Sequence, residues 1–419
     1  MQQIKKINLT VLFVLVSVFS FAQNNTNSPY TRFGYGEIAD YGSGKSKSMG
    51  GTSIGIRSST SINSANPAAY TSIDSLTFMF EFGGIGKISQ FSNSEGSVNA
   101  FNANIEYLNL QFPINKWLAL SAGLLPYSFV GYDFSQTDSI EQATFTGSEY
   151  VNYTQNFLGN GSINQAYLGL GAKIGKHFSV GVNSSYLFGS IVNNHNIKFN
   201  INENPLFGAT YKNSSLSVRD ISFRYGLQYF TELNKNAKLT VGCIFENKSK
   251  LNGEYSIGIS GVDTVSLTNN GNFELPLVIG GGLSFELKNK LLIGADVLFH
   301  NWADANFFGV KDSLNNRMKL SLGGEYLPNN NSKNYLKRIT YRFGGYLTND
   351  YLGIDQNTGN YGITFGFGFP AKGNRSLLNL GVEYGKVGVA SNNLIREDYW
   401  KITLNTTFIE TWFFKRRFE

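Results

Sequence analysis

Three histidines, one cysteine and one glycine–serine–lysine run are the residues of this chain whose types could do chemistry. His177, His195 and His300 have no serine or carboxylate placed around them in a catalytic-triad pattern, and His300 reads as an interface residue at a strand rim. Metal ligation needs clustered His, Cys or carboxylates, and no such cluster is present, so no metal or cofactor is implied. Cys243 stands alone and cannot form an internal disulfide. The run "GSGKS", residues 42–46, fails as a phosphate loop, because Ala39 stands where the first glycine is required and no strand precedes it. It reads as a small-residue segment. No catalytic residue emerges, and the chain is not read as an enzyme.

The remaining candidates are charged, and their meaning depends on the elements that carry them. Arg338 and Arg342 lie four apart, so on one strand their guanidinium groups share a face and could clamp a carboxylate. Inward Arg and Glu of a barrel also pair with one another or with a plug, and both readings stay open. The element type comes from period. Residues 221–229, 339–343, 363–369 and 378–384 alternate apolar side chains with Gly, Ser, Thr, Asn or charge, the mark of strands with one apolar face.

Fourteen such segments can be counted: 73–88, 99–112, 117–132, 162–174, 177–191, 217–231, 237–251, 275–287, 291–305, 316–328, 336–349, 360–370, 378–390 and 398–411. They run about 10 to 15 residues, long enough to cross a bilayer at a tilt. Short connections such as 175–176 and 288–290 alternate with long ones at 133–161, 192–216 and 252–274. That asymmetry predicts an all-β transmembrane antiparallel barrel of about 14 strands in the outer membrane of a Gram-negative bacterium, with both termini periplasmic. Trp117, Trp302, Trp400 and Trp412 fall near segment ends, two at each side, as expected of headgroup-level anchors.

Composition agrees. Residues 1–22 carry Lys5 and Lys6, an apolar core and a Ser-Phe-Ala end, the pattern of a secretory signal peptide. No later apolar run approaches 18 residues, which excludes membrane helices. A net charge of +6, scattered along an exported chain, excludes nucleic acid as a partner. With apolar faces outward, Arg224, Gln228, Glu246, Asp296, Arg338, Arg342 and Glu383 point into the lumen. Leu187, Ile244, Leu292 and Tyr346 share that parity and read as packing for a hatch.

Residues 23–72 are too long for a spacer. The stretch 48–78, with Met49-Gly50-Gly51 ahead of an Asn66-Pro67-Ala68 turn and then the first strand, resembles the N-terminal hatch of the FadL-type outer-membrane transport family. The Asn-rich loops and the Ala-Gln cleavage site resemble a Bacteroidota-like branch. The resemblance implies a lumen plug over 23–72, hinged at Asn66, Pro67 and Ala68, and a barrel over 73–419. It implies passive uptake of fatty-acid-like hydrophobic compounds, with outer-membrane lipid and a hydrophobic ligand as partners. It also implies lateral release through a gap at a kinked third strand, for which Pro126 is the candidate; an ordinary bulge is the other reading of that proline. Some relatives of this type are non-transporting barrels that act as docking or accessory subunits of secretion or outer-membrane assembly complexes. This chain fits that alternative too, with other outer-membrane proteins as partners.

Overall fold

The computed structural model describes residues 26–144, 147–199, 210–259, 265–267, 273–310, 314–352, 359–371, 376–390 and 394–411. Residues 1–22, which read as a signal peptide, and Trp412 lie outside them. Fourteen long strands form one antiparallel ring: β1 (Thr77–Ser92), β2 (Ser97–Pro113), β3 (Leu118–Thr144), β4 (Gly147–Ile174), β5 (Phe178–Phe199), β6 (Thr210–Asn234), β7 (Ala237–Glu246), β8 (Leu277–Leu287), β9 (Leu291–Asn301), β10 (Arg317–Tyr326), β11 (Thr340–Asn349), β12 (Gly359–Pro370), β13 (Leu377–Val387) and β14 (Arg396–Thr411). β14 pairs with β1 from Arg396↔Ser92 to Thr411↔Thr77, which closes the barrel. Among the described residues no helix is long and apolar enough to cross a membrane.

Side-chain parity is as the alternation requires. On β6, Ile221, Phe223, Tyr225 and Leu227 are exposed on the outer wall, whereas Arg224 and Gln228 are buried inside. An outer face of this kind is stable only against hydrocarbon, and the β14–β1 pairing leaves no terminal strand edge to meet the lipid. The barrel is therefore a membrane barrel.

Three expectations about the strand ends are corrected. Residues 133–161 and 192–216 are largely strand: β3 and β4 run 27 and 28 residues, and β5 and β6 run 22 and 25. A crossing takes about 9–11 residues, so these strands project past the membrane as a curtain. Beyond the bilayer both faces meet water, and the alternation that marks a strand disappears. Trp302 is no interface anchor. It lies in a short 3-10 turn, fully buried, with its ring 5.5 Å from Tyr35 and 5.0 Å from Tyr351. Trp117 and Trp400 are exposed on the outer wall, as expected.

Candidate functional site

Residues 26–72 run inside the ring, and most of them are buried or half-buried. They contain a 3-10 turn (Pro29–Arg32), a two-residue strand (Glu37–Ile38), one helical turn (Gly44–Lys47) and a 3-10 helix (Pro67–Ser72). Pro67 occupies the first position of its helix, where its missing N–H costs nothing. Asn66 caps it: the Asn66 side-chain oxygen accepts the Ala68 N–H at 3.1 Å, and its amide donates to the Ile54 carbonyl at 2.8 Å. Asn66 thus ties two passes of the hatch together. The "GSGKS" run forms the helical turn, with Lys45 paired to Glu325 of β10 at 2.8 Å.

The wall makes room for the hatch with glycine. A Cβ at Gly171 of β4 would stand 2.8 Å from the Pro67 carbonyl oxygen, and one at Gly181 of β5 would come closer still. Gly323 and Gly344 do the same beneath Met49, and Gly282 beneath Gly55. Contacts under 3 Å to backbone cannot be relieved by turning a side chain, so any larger residue at these places displaces the hatch. Inward-parity glycines were the sequence signal for this.

Most of the sequence-predicted lumen residues hold this plug or pair beside it. Asp296 accepts the Ser53 and Ile54 N–H groups at 2.6 and 2.8 Å. Arg224 forms an ion pair with Glu246, its register partner on β7, and its guanidinium lies over the Tyr41 ring at 3.4 Å. Arg342 binds Glu325 and donates to Asn379, both at 2.7 Å. Glu383 accepts from Tyr346 and Tyr399 and pairs with Lys401 at 2.8 Å. Ile244 and Leu292 pack on the hatch residues Ile54, Met49 and Ile56, and Leu187 lies in the aromatic cluster at the curtain end.

Two expectations fail here. Arg338 is not on the strand: it ends a 3-10 turn (Tyr335–Arg338) below β11, with its guanidinium 5.5 Å from the Tyr335 ring. No clamp with Arg342 forms. His300 is buried at the lumen side of β9 beside Arg317 and Lys319 rather than at the lipid interface. Sequence reading also missed Glu81, a fully buried β1 carboxylate that accepts the Ile62 N–H at 3.0 Å.

One wall ladder is short. β2 and β3 share six register pairs, ending at Leu108↔Leu124; every other neighbouring pair in the ring shares eight or more. Pro126, which has no N–H to give, sits where the seam opens, and the β3–β4 register shifts between Pro126 and Ser128. The hatch fills the opening. Glu37 and Ile38 pair with Phe129 and Ser128, the Ala39 N–H donates to the Tyr127 carbonyl at 2.9 Å, and Asn27 reaches Asn102 of β2 at 3.1 Å.

Behind this strap lies a cavity of about 190 Å³ whose walls include Glu37, Asp40, Lys87, Lys319, Glu383 and Lys401. Lys87 pairs with Glu397 at 2.9 Å and Glu37 at 3.6 Å, and Asp40 binds Lys319 and Arg317. Burial alone would raise the Asp40 carboxyl, but the ammonium of Lys319 and the guanidinium of Arg317 outweigh it and hold the group well below the usual carboxylate range. Burial pushes the half-buried Arg57 guanidinium of the hatch down to about 10.

A second cavity, about 250 Å³, opens at the curtain end between Arg32, Tyr132, Phe157, His195, Lys212 and Phe308. Between the two, Tyr35, Trp302, Phe273 and Tyr351 form a packed aromatic cluster. No group of three or more metal-ligating side chains occurs among the described residues.

A 14-stranded barrel with an internal N-terminal hatch is the fold of outer-membrane channels for hydrophobic compounds. The P. putida toluene transporter TodX superposes with a TM-score of 0.58 at 14% identity, covering 90% of this chain and 100% of its own. The Ralstonia pickettii toluene transporter TbuX gives 0.55 at 13%, covering 88% and 98%, and a Pseudomonas aeruginosa FadL homologue gives 0.55 at 12%, covering 90% and 99%. No curated protein matches the chain. A family model matches residues 3–419, nearly the whole sequence, and the chain belongs to the family it describes, BamG.

Proposed function

We propose that this protein is a closed FadL-type barrel of the outer membrane that serves as an accessory subunit of an outer-membrane assembly complex. The carrying observation is the cavity at the seam. Three ion pairs stand in its walls among apolar residues: Lys87 with Glu397, Lys401 with Glu383 and Lys319 with Asp40. A hydrocarbon entering it would meet apolar wall at Ile38, Ile85, Phe129 and Val387, but would have to displace water from these charges, which costs free energy. The aromatic cluster around Tyr35 and Trp302 stands between this cavity and the curtain-end pocket. The family's name, BamG, points to the Bam set of outer-membrane assembly proteins. The short turns and both chain ends face the periplasm in this reading, and the β3–β6 curtain faces outward. Native mass spectrometry of gently solubilised protein tests it: the expected result is a second outer-membrane protein bound and no hydrophobic ligand in the lumen. A lumen ligand without a protein partner would overturn it.

The second reading is uptake of a hydrophobic compound with lateral release at Pro126. The six-pair β2–β3 ladder favours it, because lifting the strap would open the wall to lipid. The curtain-end pocket would be the entry site, its rings taking an apolar body and Arg32 and Lys212 an anionic head. Uptake that depends on the strap leaving β3 is the mark of this reading.

A further inference from the structure

The short turns of the barrel share a charge pattern that neither reading uses. Residues 114–117, 175–177, 235–236, 288–290 and 327–339 contain seven lysines and one arginine, and no Asp or Glu. Lys116, Lys176, Lys235, Lys288, Lys290 and Lys333 are all exposed. The connections at the other end carry carboxylates, Glu95, Asp304 and Asp350 among them. These turns follow β2, β4, β6, β8 and β10, so the lysines are spread around the ring instead of gathered in one sector.

Just above them on the outer wall stand exposed rings: Trp117, Phe178, Tyr229 and Tyr326. Rings with polar edges settle at the headgroup level, and a lysine beyond them can lay its stem along apolar surface and set its ammonium at the phosphates. A protein partner would need its complementary charge on one face. An encircling ring fits what encircles the barrel.

We propose that the short-turn rim binds anionic phospholipid headgroups and selects them for the leaflet around it. The inference rests on the membrane barrel alone and is independent of docking or uptake.

The test reconstitutes full-length protein in mixed phosphatidylglycerol and phosphatidylcholine bilayers and weighs the lipids that stay bound after detergent exchange. Each lysine at the surface favours an anionic lipid by about fivefold, so the native protein retains phosphatidylglycerol in clear excess over the bulk ratio. Replacing the six named lysines by Gln, with Lys337 and Arg338 left in place, removes most of the excess; replacing them by Arg preserves it; high salt erodes it. Heat-modifiable mobility of the unboiled protein shows that each variant is still a folded barrel. An unchanged excess in the Gln variant overturns the proposal. So does loss of a bound acidic protein with the lipid ratio untouched, which would reassign the rim to a protein partner.

Discussion

Ile38 of the hatch pairs with Ser128 of β3 as one strand residue pairs with the next, at the place where β2 has left the ladder. An unpaired β3 edge in the bilayer would leave backbone groups without partners, at a cost of several kcal/mol each. The hatch is therefore both a plug for the lumen and a substitute strand for the wall.

Asp296 should be the strongest single tether of the hatch. Asp296→Ala leaves the Ser53 and Ile54 N–H groups buried without their charged acceptor, a loss of about 2–4 kcal/mol of hatch docking. Amide exchange at Ser53 and Ile54 should accelerate at least tenfold, while the barrel strands keep their protection. Equal exchange in variant and native protein would show that the tether carries no energy.

The wall glycines give a paired test. Gly171→Leu pushes a side chain into the Pro67 carbonyl and should cost about 1–3 kcal/mol or displace the 3-10 helix. Gly281→Ala, on β8 with nothing within 4 Å of the new methyl, should be neutral. Protease sensitivity of the hatch reads the difference, and similar behaviour of the two variants would contradict a glycine-cut groove.

Asp40 makes the strap acid-sensitive at low pH only. Its carboxyl, held below the usual range by Lys319 and Arg317 against the cost of burial, contributes stability that is present above the ordinary carboxylate pKa and lost as pH falls through the depressed value. Amide protection at residues 37–39 should therefore stay level from neutral pH through the ordinary carboxylate range and decline below it. In Asp40→Asn the acid step should vanish and the strap should be looser at neutral pH.

The barrel itself was legible because a lipid-facing wall forces period 2. Ile221, Phe223 and Tyr225 can only alternate with Arg224 and its neighbours, and all fourteen strands were found. The curtain was not legible, because strand residues such as Gln136, Thr137 and Asn152 meet water on both faces. Trp302 was misread because a buried aromatic in a turn and an interfacial one look alike in sequence; only its packing on Tyr35 separates them. Arg338 falls within the segment 336–349 that the sequence suggests as a strand, but the strand begins two residues later, at Thr340. Parity puts Arg224, Asp296 and Arg342 on the buried face, but their partners span the chain: Arg342 with Asn379, and Asp296 with Ser53. Such pairings follow from closure of the ring and docking of the hatch, which no local pattern encodes.

A barrel that serves as a docking subunit keeps its hatch in place while it works. Ile38 and Ser128 are register partners, so Ile38→Cys with Ser128→Cys, in a background where the exposed Cys243 is Ser, sets up a disulfide across the seam. The decisive measurement compares oxidised and reduced forms of this variant for retention of the outer-membrane partner and for uptake of a radiolabelled aromatic hydrocarbon. Full partner retention is expected in the locked form, with no uptake that depends on reduction. Uptake that appears only on reduction, with no partner bound in either state, would contradict it.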